Sequence, residues 1–289
     1  MMQAKSLAKT VPPGLHFIAT PIGAARDITL RALDILAGSD VLAAEDTRTL
    51  RHLMEIHGVA LNGRPLWAYH DHNGEAVRPR ILAALAEGKS VAYASEAGTP
   101  LVADPGYQLS KAAIAAGHVV LAAPGPSAVL AALTVSGLPS DKFMFVGFPP
   151  NTSAARLSFL SEMAQIPATL VFYESPKRLS KLLTDMVTSL GEERRAVVCR
   201  ELTKKFEETT RGTLGELVAV FDGVAIKGEI VVLVDRDHKA KADPITVETA
   251  LRSALAQMSV KDAAAMVAES LALPRRDVYQ VALNIVKDR

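Results

Sequence analysis

Short apolar runs alternate with helical periodicity along the first half of the chain. Five runs predict strands, at 15–20, 40–45, 65–70, 90–95 and 118–123. The segments between them carry apolar residues at i, i+3 and i+4, which is typical of helices that bury one face. Three of these helices are expected to end at a left-handed glycine, at Gly38, Gly88 and Gly117. Alternation of this kind favours a mainly parallel sheet with helices on both faces.

A second α/β unit follows the segment 136–142, where Gly137 and Pro139 interrupt the pattern. Its predicted strands lie at 143–148, 168–174, 195–201, 206–212 and 229–235. The fourth of these runs follows the third too closely for a helical crossover, so the two are expected to form an antiparallel hairpin. The second sheet is therefore expected to be mixed.

These patterns predict an α/β fold of two domains with a C-terminal helical tail. The expected divisions are a disordered leader at 1–14, an N-terminal α/β domain at 15–136, a C-terminal α/β domain at 137–238, and a linker and helical tail at 239–289.

Composition and charge narrow the class of protein. Of 289 residues, 49% are hydrophobic and 22% are charged, which fits a folded α/β enzyme and argues against a disordered chain. The net charge of +1 is too small for a general nucleic-acid binder, so any RNA contact is expected from a local basic patch. The single cysteine, Cys199, excludes an internal disulfide and suits a reducing compartment. The sequence has no apolar stretch of membrane-spanning length and no signal-peptide pattern, so we expect a cytoplasmic protein without a membrane partner.

Unusual residues cluster after the predicted strands of the first sheet. The segments are TPIGAARD (20–27), EDTR (45–48), HDHN (70–73), SEAGTPLVADPG (95–106) and PGPSA (124–128). In an open parallel sheet, ligands bind beyond the carboxyl ends of the strands. The chain lacks the glycine patterns of standard dinucleotide and P-loop sites. Glycine and proline in these loops can expose backbone groups to a ligand. Tight turns that cap helices at Gly106 and Ser127 explain the same composition equally well.

Four of these loop residues are candidates for acid–base chemistry. They are Glu45, Asp46, His70 and His72. Asp46 is also suited to cap the helix that follows it. The two histidines stand at i, i+2, on one face of an extended chain, but no third ligand is evident nearby, so no metal site is predicted.

Basic residues near the strand ends and in the tail are candidates for contacts with RNA phosphates. They are Arg48, Arg200, Lys204, Arg275 and Arg276. Ordinary solvated charges are the alternative for Arg200 and Lys204. The tail arginines open a helix that follows a short turn, an arrangement consistent with a helix-turn-helix or with a docking helical hairpin.

Taken together and in order, these motifs form a recognisable series. TPIG, DITLRAL, DVLAAEDTR, HDHN, AGTPLVADPGYQL, PGPSA, GLPSDKF, FYES, RELTK and KGE follow one another between residues 18 and 229. The series resembles the ribosomal RNA small subunit methyltransferase I family, within the tetrapyrrole methylase (class III) superfamily.

The resemblance implies two α/β domains with S-adenosylmethionine in the cleft between them, in a homodimer. It implies methyl transfer to the ribose 2′-hydroxyl of a cytidine in the decoding region of 16S rRNA, presented by the 30S subunit. By similarity, the residues that contact the cofactor would be Ile22, Ala97, Gly98, Thr99, Val102, Ser127, Ala128, Glu174 and Leu202.

Two positions depart from the family pattern. Glu96 stands where the family usually has Asp, and Ala24 where it usually has Asn, so no role is transferred to either. A ribose hydroxyl is a poor acid and needs a proton acceptor during methylation. Glu45 or Asp46 is the expected acceptor, with the imidazoles of His70 and His72 as the competing choice.

Three other functions stay open at this point. A class III methylase acting on a tetrapyrrole would need a glycine-rich first loop, which ATPIGAARD lacks. An RNA-binding assembly factor that has lost catalysis would tolerate Ala24 and Glu96. A metal-dependent hydrolase would use HDHN.

Overall fold

The computed structural model describes residues 10–236, 244–271 and 273–287. Most of the predicted leader, at 1–9, and most of the predicted linker, at 237–243, lie outside the described residues. The chain divides into two compact units, with the boundary after Arg236. The four-part domain division stays a prediction.

The first sheet is entirely parallel, with the strand order β3-β2-β4-β1-β5. Its strands are β1 (Gly14–Ile18), β2 (Val41–Ala44), β3 (Leu66–Ala68), β4 (Ser90–Ala94) and β5 (Val120–Ala123). The helices of this region are α1 (Leu30–Gly38), α2 (Thr47–Ile56), α3 (Gly74–Ala86), α4 (Tyr107–Ala115) and α5 (Ala128–Ser136).

Both faces of this sheet are buried, which explains the continuous apolar runs. Leu15 and Phe17 of β1 pack in one apolar cluster with Tyr93. Ile18 packs on the opposite face with Leu36 of α1. Because successive side chains of a strand point to opposite faces, a strand covered on both faces needs apolar residues at every position.

The second sheet is mixed, with the strand order β6-β7-β10-β8-β9. Its strands are β6 (Phe143–Gly147), β7 (Thr169–Glu174), β8 (Arg195–Arg200), β9 (Glu208–Thr213) and β10 (Ile230–Val234), and its helices are α6 (Ser153–Met163), α7 (Leu179–Leu190) and α8 (Leu214–Phe221). Only β6 and β7 pair in parallel, and β8 and β9 form an antiparallel pair. One face packs on α6, α7 and α8, whereas the other contacts Val129 of α5 and Ile22 from the loop after β1. This shared cluster brings the ends of the two sheets together.

The C-terminal unit contains three helices, α9 (Pro244–Ala254), α10 (Val260–Ser270) and α11 (Arg275–Lys287). They enclose a small apolar core that includes Leu251, Val267 and Val278. The predicted helical character of the tail is confirmed.

The predicted fold class is confirmed, and each of the ten strands starts and ends within two residues of the predicted run. The expected left-handed helix ends are present at Gly88 (φ 77°) and Gly117 (φ 78°). α1 also ends at Gly38, but the expected left-handed conformation there is wrong, because the helix is capped by Ser39, whose backbone N–H and hydroxyl both donate to the Ile35 carbonyl. In the described ranges, no helix combines the length and apolar content needed to cross a bilayer.

Candidate functional site

A cavity of about 380 Å³ opens where the strand ends of the two sheets meet. Loops after β1, β4, β5, β7 and β8 line it, together with the start of β10. All nine residues expected to contact the cofactor lie in its wall: Ile22, Ala97, Gly98, Thr99, Val102, Ser127, Ala128, Glu174 and Leu202. The structure therefore brings together residues that are up to 180 positions apart in sequence.

The loop after β4 is held in place by the loop after β1. Thr20 and Gly98 exchange two backbone hydrogen bonds, of 2.9 and 3.0 Å. The Ser95 hydroxyl donates to the Gly98 carbonyl, and the Thr99 hydroxyl donates to the Pro126 carbonyl. Gly98 has φ of 80°, and a Cβ there would lie 3.2 Å from Ile22 Cγ2. A glycine is needed at this wall of the cavity for both reasons.

The RELTK loop after β8 closes the opposite side of the cavity. Thr203 accepts a hydrogen bond from the Ala24 backbone N–H, and a side chain at Gly23 would overlap Thr203 and Lys204. Ala24 thus contributes its backbone to this junction, so the missing asparagine amide leaves that contact intact. Close packing of Gly23 on this loop connects the two sheets at the cavity.

The carboxylate of Asp104, in the segment 100–106, also lies in the cavity wall. The sequence motifs give this residue no role. Leu101 (φ 70°) and Ala103 (φ 60°) both adopt the left-handed conformation, which is uncommon for residues other than glycine. The Tyr93 hydroxyl donates to the Pro105 carbonyl and fixes the end of this segment. An aspartate before Pro-Gly is typical of a tight turn. The only sequence feature that marks Asp104 as a possible site residue is therefore its position beyond the end of a parallel strand.

Burial and neighbouring charges make Asp104 an unusual carboxyl group. Burial, together with the negative charges of Glu45 and Glu96, raises the pKa of Asp104 to about 7. Its Oδ2 is buried and has no hydrogen-bond partner among the described residues. A buried oxygen without a partner is rare in folded proteins, because its burial costs free energy that no hydrogen bond offsets.

Glu174 is the second buried carboxylate of the wall. It ends β7 and accepts a hydrogen bond of 2.7 Å from the Ser175 backbone N–H. Arg178 Nη2 lies 3.1 Å from Glu174 Oε2, close enough for an ion pair. Burial raises the pKa of Glu174, although the Ser175 N–H and Arg178 act against the shift.

The four predicted acid–base residues lie near the cavity but outside its wall. Asp46 caps α2, since its Oδ1 accepts hydrogen bonds from the Arg48 and Thr49 backbone N–H groups. The Arg48 guanidinium and these hydrogen bonds lower the pKa of Asp46 to about 2. Burial raises the pKa of Glu45, whose Oε2 accepts a hydrogen bond of 3.2 Å from the Glu96 backbone N–H. The cap that the sequence allowed for Asp46 is thus present, and the charge of Glu45 acts on the cavity carboxylate Asp104.

The two histidines of HDHN face each other at a ring distance of 6.0 Å. The His70 backbone N–H donates to Asn73 Oδ1, which stabilises the turn before α3. His70 lies close enough to Glu45 to favour its charged form. Across the part of the chain that the structure describes, no three metal-ligating side chains are arranged to hold an ion.

The candidate phosphate contacts of the first unit all have carboxylate partners. Arg48 pairs with Asp46 at 2.9 Å, and Arg200 pairs with Glu208 at 2.9 Å. Lys204 Nζ lies 3.0 Å from both Glu201 and Glu229. In the C-terminal unit, Arg275 and Arg276 are exposed at the start of α11. Assignment of these residues to RNA stays a prediction.

Comparison with known proteins is consistent with this architecture. Residues 14–218 match the family model for tetrapyrrole (corrin/porphyrin) methylases, and residues 241–285 match that for the RsmI C-terminal HTH domain. A solved structure of the methyltransferase CobJ superposes with a TM-score of 0.59 at 20% identity, covering 78% of this chain and 94% of that one, which shows a shared fold.

Curated relatives match over nearly the whole chain. The chain is 46% identical over 285 residues to ribosomal RNA small subunit methyltransferase I of Mesorhizobium japonicum, covering 98% of this chain and 96% of the relative. It is 43% identical over 273 residues to the protein of the same name from Xylella fastidiosa strain Temecula1, covering 93% and 99%. The chain therefore belongs to the ribosomal RNA small subunit methyltransferase I family of the tetrapyrrole methylases.

Proposed function

We propose that this protein transfers a methyl group from S-adenosylmethionine to the ribose 2′-hydroxyl of a cytidine in the decoding region of 16S rRNA. The observation that carries the proposal is the convergence of all nine expected cofactor residues on one cavity. The names of the curated relatives support an rRNA substrate. Action in the cytoplasm on the 30S subunit, as a homodimer, is part of the same proposal.

The cavity fits the proposed cofactor in size and in charge. Its volume of about 380 Å³ falls within the usual range of small-molecule sites. Ile22, Val102 and Leu202 provide apolar wall, while Glu174 provides negative charge. A nucleoside joined to a cationic sulfonium needs both, because the base prefers an apolar surface and the cation a negative one.

The residues of the wall would hold and orient the donor. When bound, S-adenosylmethionine supplies an activated methyl group, so the chain chiefly has to align the acceptor oxygen with it. The loop around Gly98 is anchored through Thr20, Ser95 and Thr99 and presents a preorganised surface. Gly23 packs so closely on the RELTK loop that a side chain there would overlap Thr203 and Lys204, which supports a fixed position of this loop beside the donor.

The acceptor ribose has to come from unstacked RNA, because a cavity of this size does not admit a whole duplex, and a splayed-out nucleotide can enter it. A net charge of +1 predicts weak affinity for naked RNA and dependence on the assembled subunit. Comparison of free 16S rRNA with 30S particles as methyl acceptors tests this point. Equal turnover on the two substrates would contradict it.

An inactive assembly factor is the alternative function, and calorimetric titration with S-adenosylmethionine separates the two. The proposed enzyme is expected to bind the cofactor at micromolar concentration in a one-to-one ratio with the chain. Absence of binding would contradict the proposed function and favour the assembly factor.

A further inference from the structure

We propose that Asp104 is the catalytic residue that accepts the proton of the ribose hydroxyl during methyl transfer. This inference rests on the proposed function and assigns a residue that the sequence motifs leave without a role. It follows from the position of Asp104 in the cavity wall, from the unsatisfied oxygen of its side chain and from the conformation of its loop.

The position of Asp104 distinguishes it from the other acid–base candidates. Of the carboxylates and imidazoles expected to act as a base, none lies in the wall of the cavity. Asp104 lies in that wall, and its Oδ2 lacks a hydrogen-bond partner among the residues described. Asp46 is already engaged by two backbone N–H groups, and Glu45 by a third. Compared with these groups, Asp104 combines a place in the cavity wall with a carboxylate oxygen to which no described residue donates a hydrogen bond.

The loop that carries Asp104 is held in a conformation that a simple connector does not require. Leu101 and Ala103 have φ of 70° and 60°, and left-handed residues other than glycine are concentrated at functional sites. Gly106 (φ 120°) packs on Phe17 and Tyr93, with no room for a larger side chain, as its Cβ would lie 3.3 Å from each ring. These contacts hold the end of the loop that carries Asp104 against β1 and β4.

The groups that face Asp104 tune its basicity. Glu45 follows β2 and Glu96 follows β4, and both charges disfavour ionisation of Asp104. Tyr93 of β4 and Tyr173 of β7 also face it, and its charge contributes to the raised pKa of each hydroxyl. With a pKa of about 7, the carboxyl group is a stronger base than an ordinary aspartate and is still substantially ionised at neutral pH.

The chemical step balances with the groups named. The ribose oxygen forms a bond to the methyl carbon as the carbon–sulfur bond breaks and its electron pair remains on sulfur. The hydroxyl proton passes to an oxygen of Asp104, which becomes a neutral carboxylic acid. Release of that proton to solvent then restores the carboxylate.

The test compares Asp104→Asn with wild type and with Asp34→Asn, which removes an exposed carboxylate from α1. Single-turnover methyl transfer to unmodified 30S subunits is measured from pH 6 to pH 9, and cofactor binding by calorimetry. For Asp104→Asn we expect a rate at least about 100-fold lower at pH 8, no rise in rate through pH 7, and a cofactor Kd within about threefold of wild type. Asp34→Asn should match wild type in all three.

A second readout needs no turnover. Between about pH 4 and about pH 7, the raised pKa keeps a proton on Asp104 in the folded chain, whereas the unfolded chain has lost this proton. Wild type therefore loses the stability contributed by this proton as pH rises through the window, and Asp104→Asn lacks that contribution. The difference in Tm, variant minus wild type, should become more positive from pH 4 to pH 7 in the absence of cofactor.

Each other outcome overturns the inference in a recognisable way. An Asp104→Asn rate within about threefold of wild type, or a retained rise near pH 7, excludes Asp104 as the base. Loss of cofactor affinity in proportion to loss of rate would make it a cofactor ligand instead. If Asp104→Asn does not fold, Asp104→Glu replaces it, and a loss of the pH dependence despite the retained carboxylate contradicts the inference. Wild type that binds cofactor but transfers no methyl group to 30S subunits overturns the proposed function as well, which separates the two failures.

Discussion

Thr20 and Gly98 join the loops after β1 and β4 through two backbone hydrogen bonds of 2.9 and 3.0 Å. The bridge sets the cavity wall at Gly98 directly against Ile22. Gly98 and Ile22 both belong to the set expected to contact the cofactor. The contact between these two residues therefore decides how closely a ligand approaches the Gly98 backbone.

Gly98→Ala should weaken cofactor binding. An alanine there would combine a φ of 80° with a Cβ 3.2 Å from Ile22 Cγ2, so the loop has to shift. We expect the Kd for S-adenosylmethionine to rise at least about tenfold, which corresponds to about 1.4 kcal/mol. Calorimetric titration measures the change.

Gly88→Ala is the matched control for backbone strain. Gly88 has φ of 77°, and its Cβ would meet no atom within 4 Å. The variant should lose about 1 kcal/mol of unfolding free energy and keep the wild-type Kd. If the two variants weaken binding equally, the Gly98 wall does not contact the cofactor.

Glu96→Gln should shift the pH dependence of methyl transfer. The charge of Glu96 contributes to the raised pKa of Asp104, so its removal lowers that pKa and leaves more Asp104 ionised at pH 6. The acid limb of the rate profile should move to lower pH, with the plateau rate retained. Glu162→Gln, at an exposed position on α6, serves as the control and should leave the limb in place. An unmoved limb in Glu96→Gln would show that Asp104 does not set it.

Asp185→Ala should destabilise the second α/β region strongly. Arg156 is buried, and its Nη2 lies 2.6 Å from Asp185 Oδ2. Removal of the carboxylate leaves a buried, unpaired guanidinium, so the unfolding free energy should fall by about 3 kcal/mol or more. Glu208→Ala breaks the exposed pair with Arg200 and should cost less than about 1 kcal/mol. Urea unfolding of the full chain compares them, and similar losses would contradict the burial argument.

The paired variant Arg275→Ala/Arg276→Ala tests the proposed role of the tail. If both side chains contact phosphates, the plot of log affinity for 30S subunits against log salt should become shallower by about 2, with cofactor affinity unchanged. Lys287→Ala removes an exposed charge from the last turn of the same helix and is the control. A slope equal to wild type in the paired variant would exclude these phosphate contacts.

Local patterns in the sequence were sufficient to locate most strands, because a strand covered on both faces needs an unbroken apolar run. The edge strand β9 has no such run, and its short separation from β8 located it instead. Local patterns also located the Gly88 and Gly117 helix ends, which depend on adjacent residues alone. Gly38 shows the limit, since Ser39 caps α1 by donating to the Ile35 carbonyl, and Gly38 does not adopt the left-handed conformation.

The site was only partly accessible from sequence. Loop composition and family resemblance identified the nine cavity residues. The raised pKa of Asp104, in contrast, depends on its burial and on the charges of Glu45, which is 59 positions away, and Glu96. No local pattern encodes that proximity, because the strand order β2-β4-β1 creates it. Similarly, the pairing of Lys204 with Glu229 depends on β8 lying beside β10.

The most direct test of the central claim is methyl transfer from tritiated S-adenosylmethionine to 30S subunits that lack the modification, followed by nuclease mapping of the label. The proposed function predicts label on one 2′-O-methylcytidine in the decoding region of 16S rRNA. Label on a base, on another nucleotide or on no RNA at all, from a chain that binds the cofactor, would contradict it.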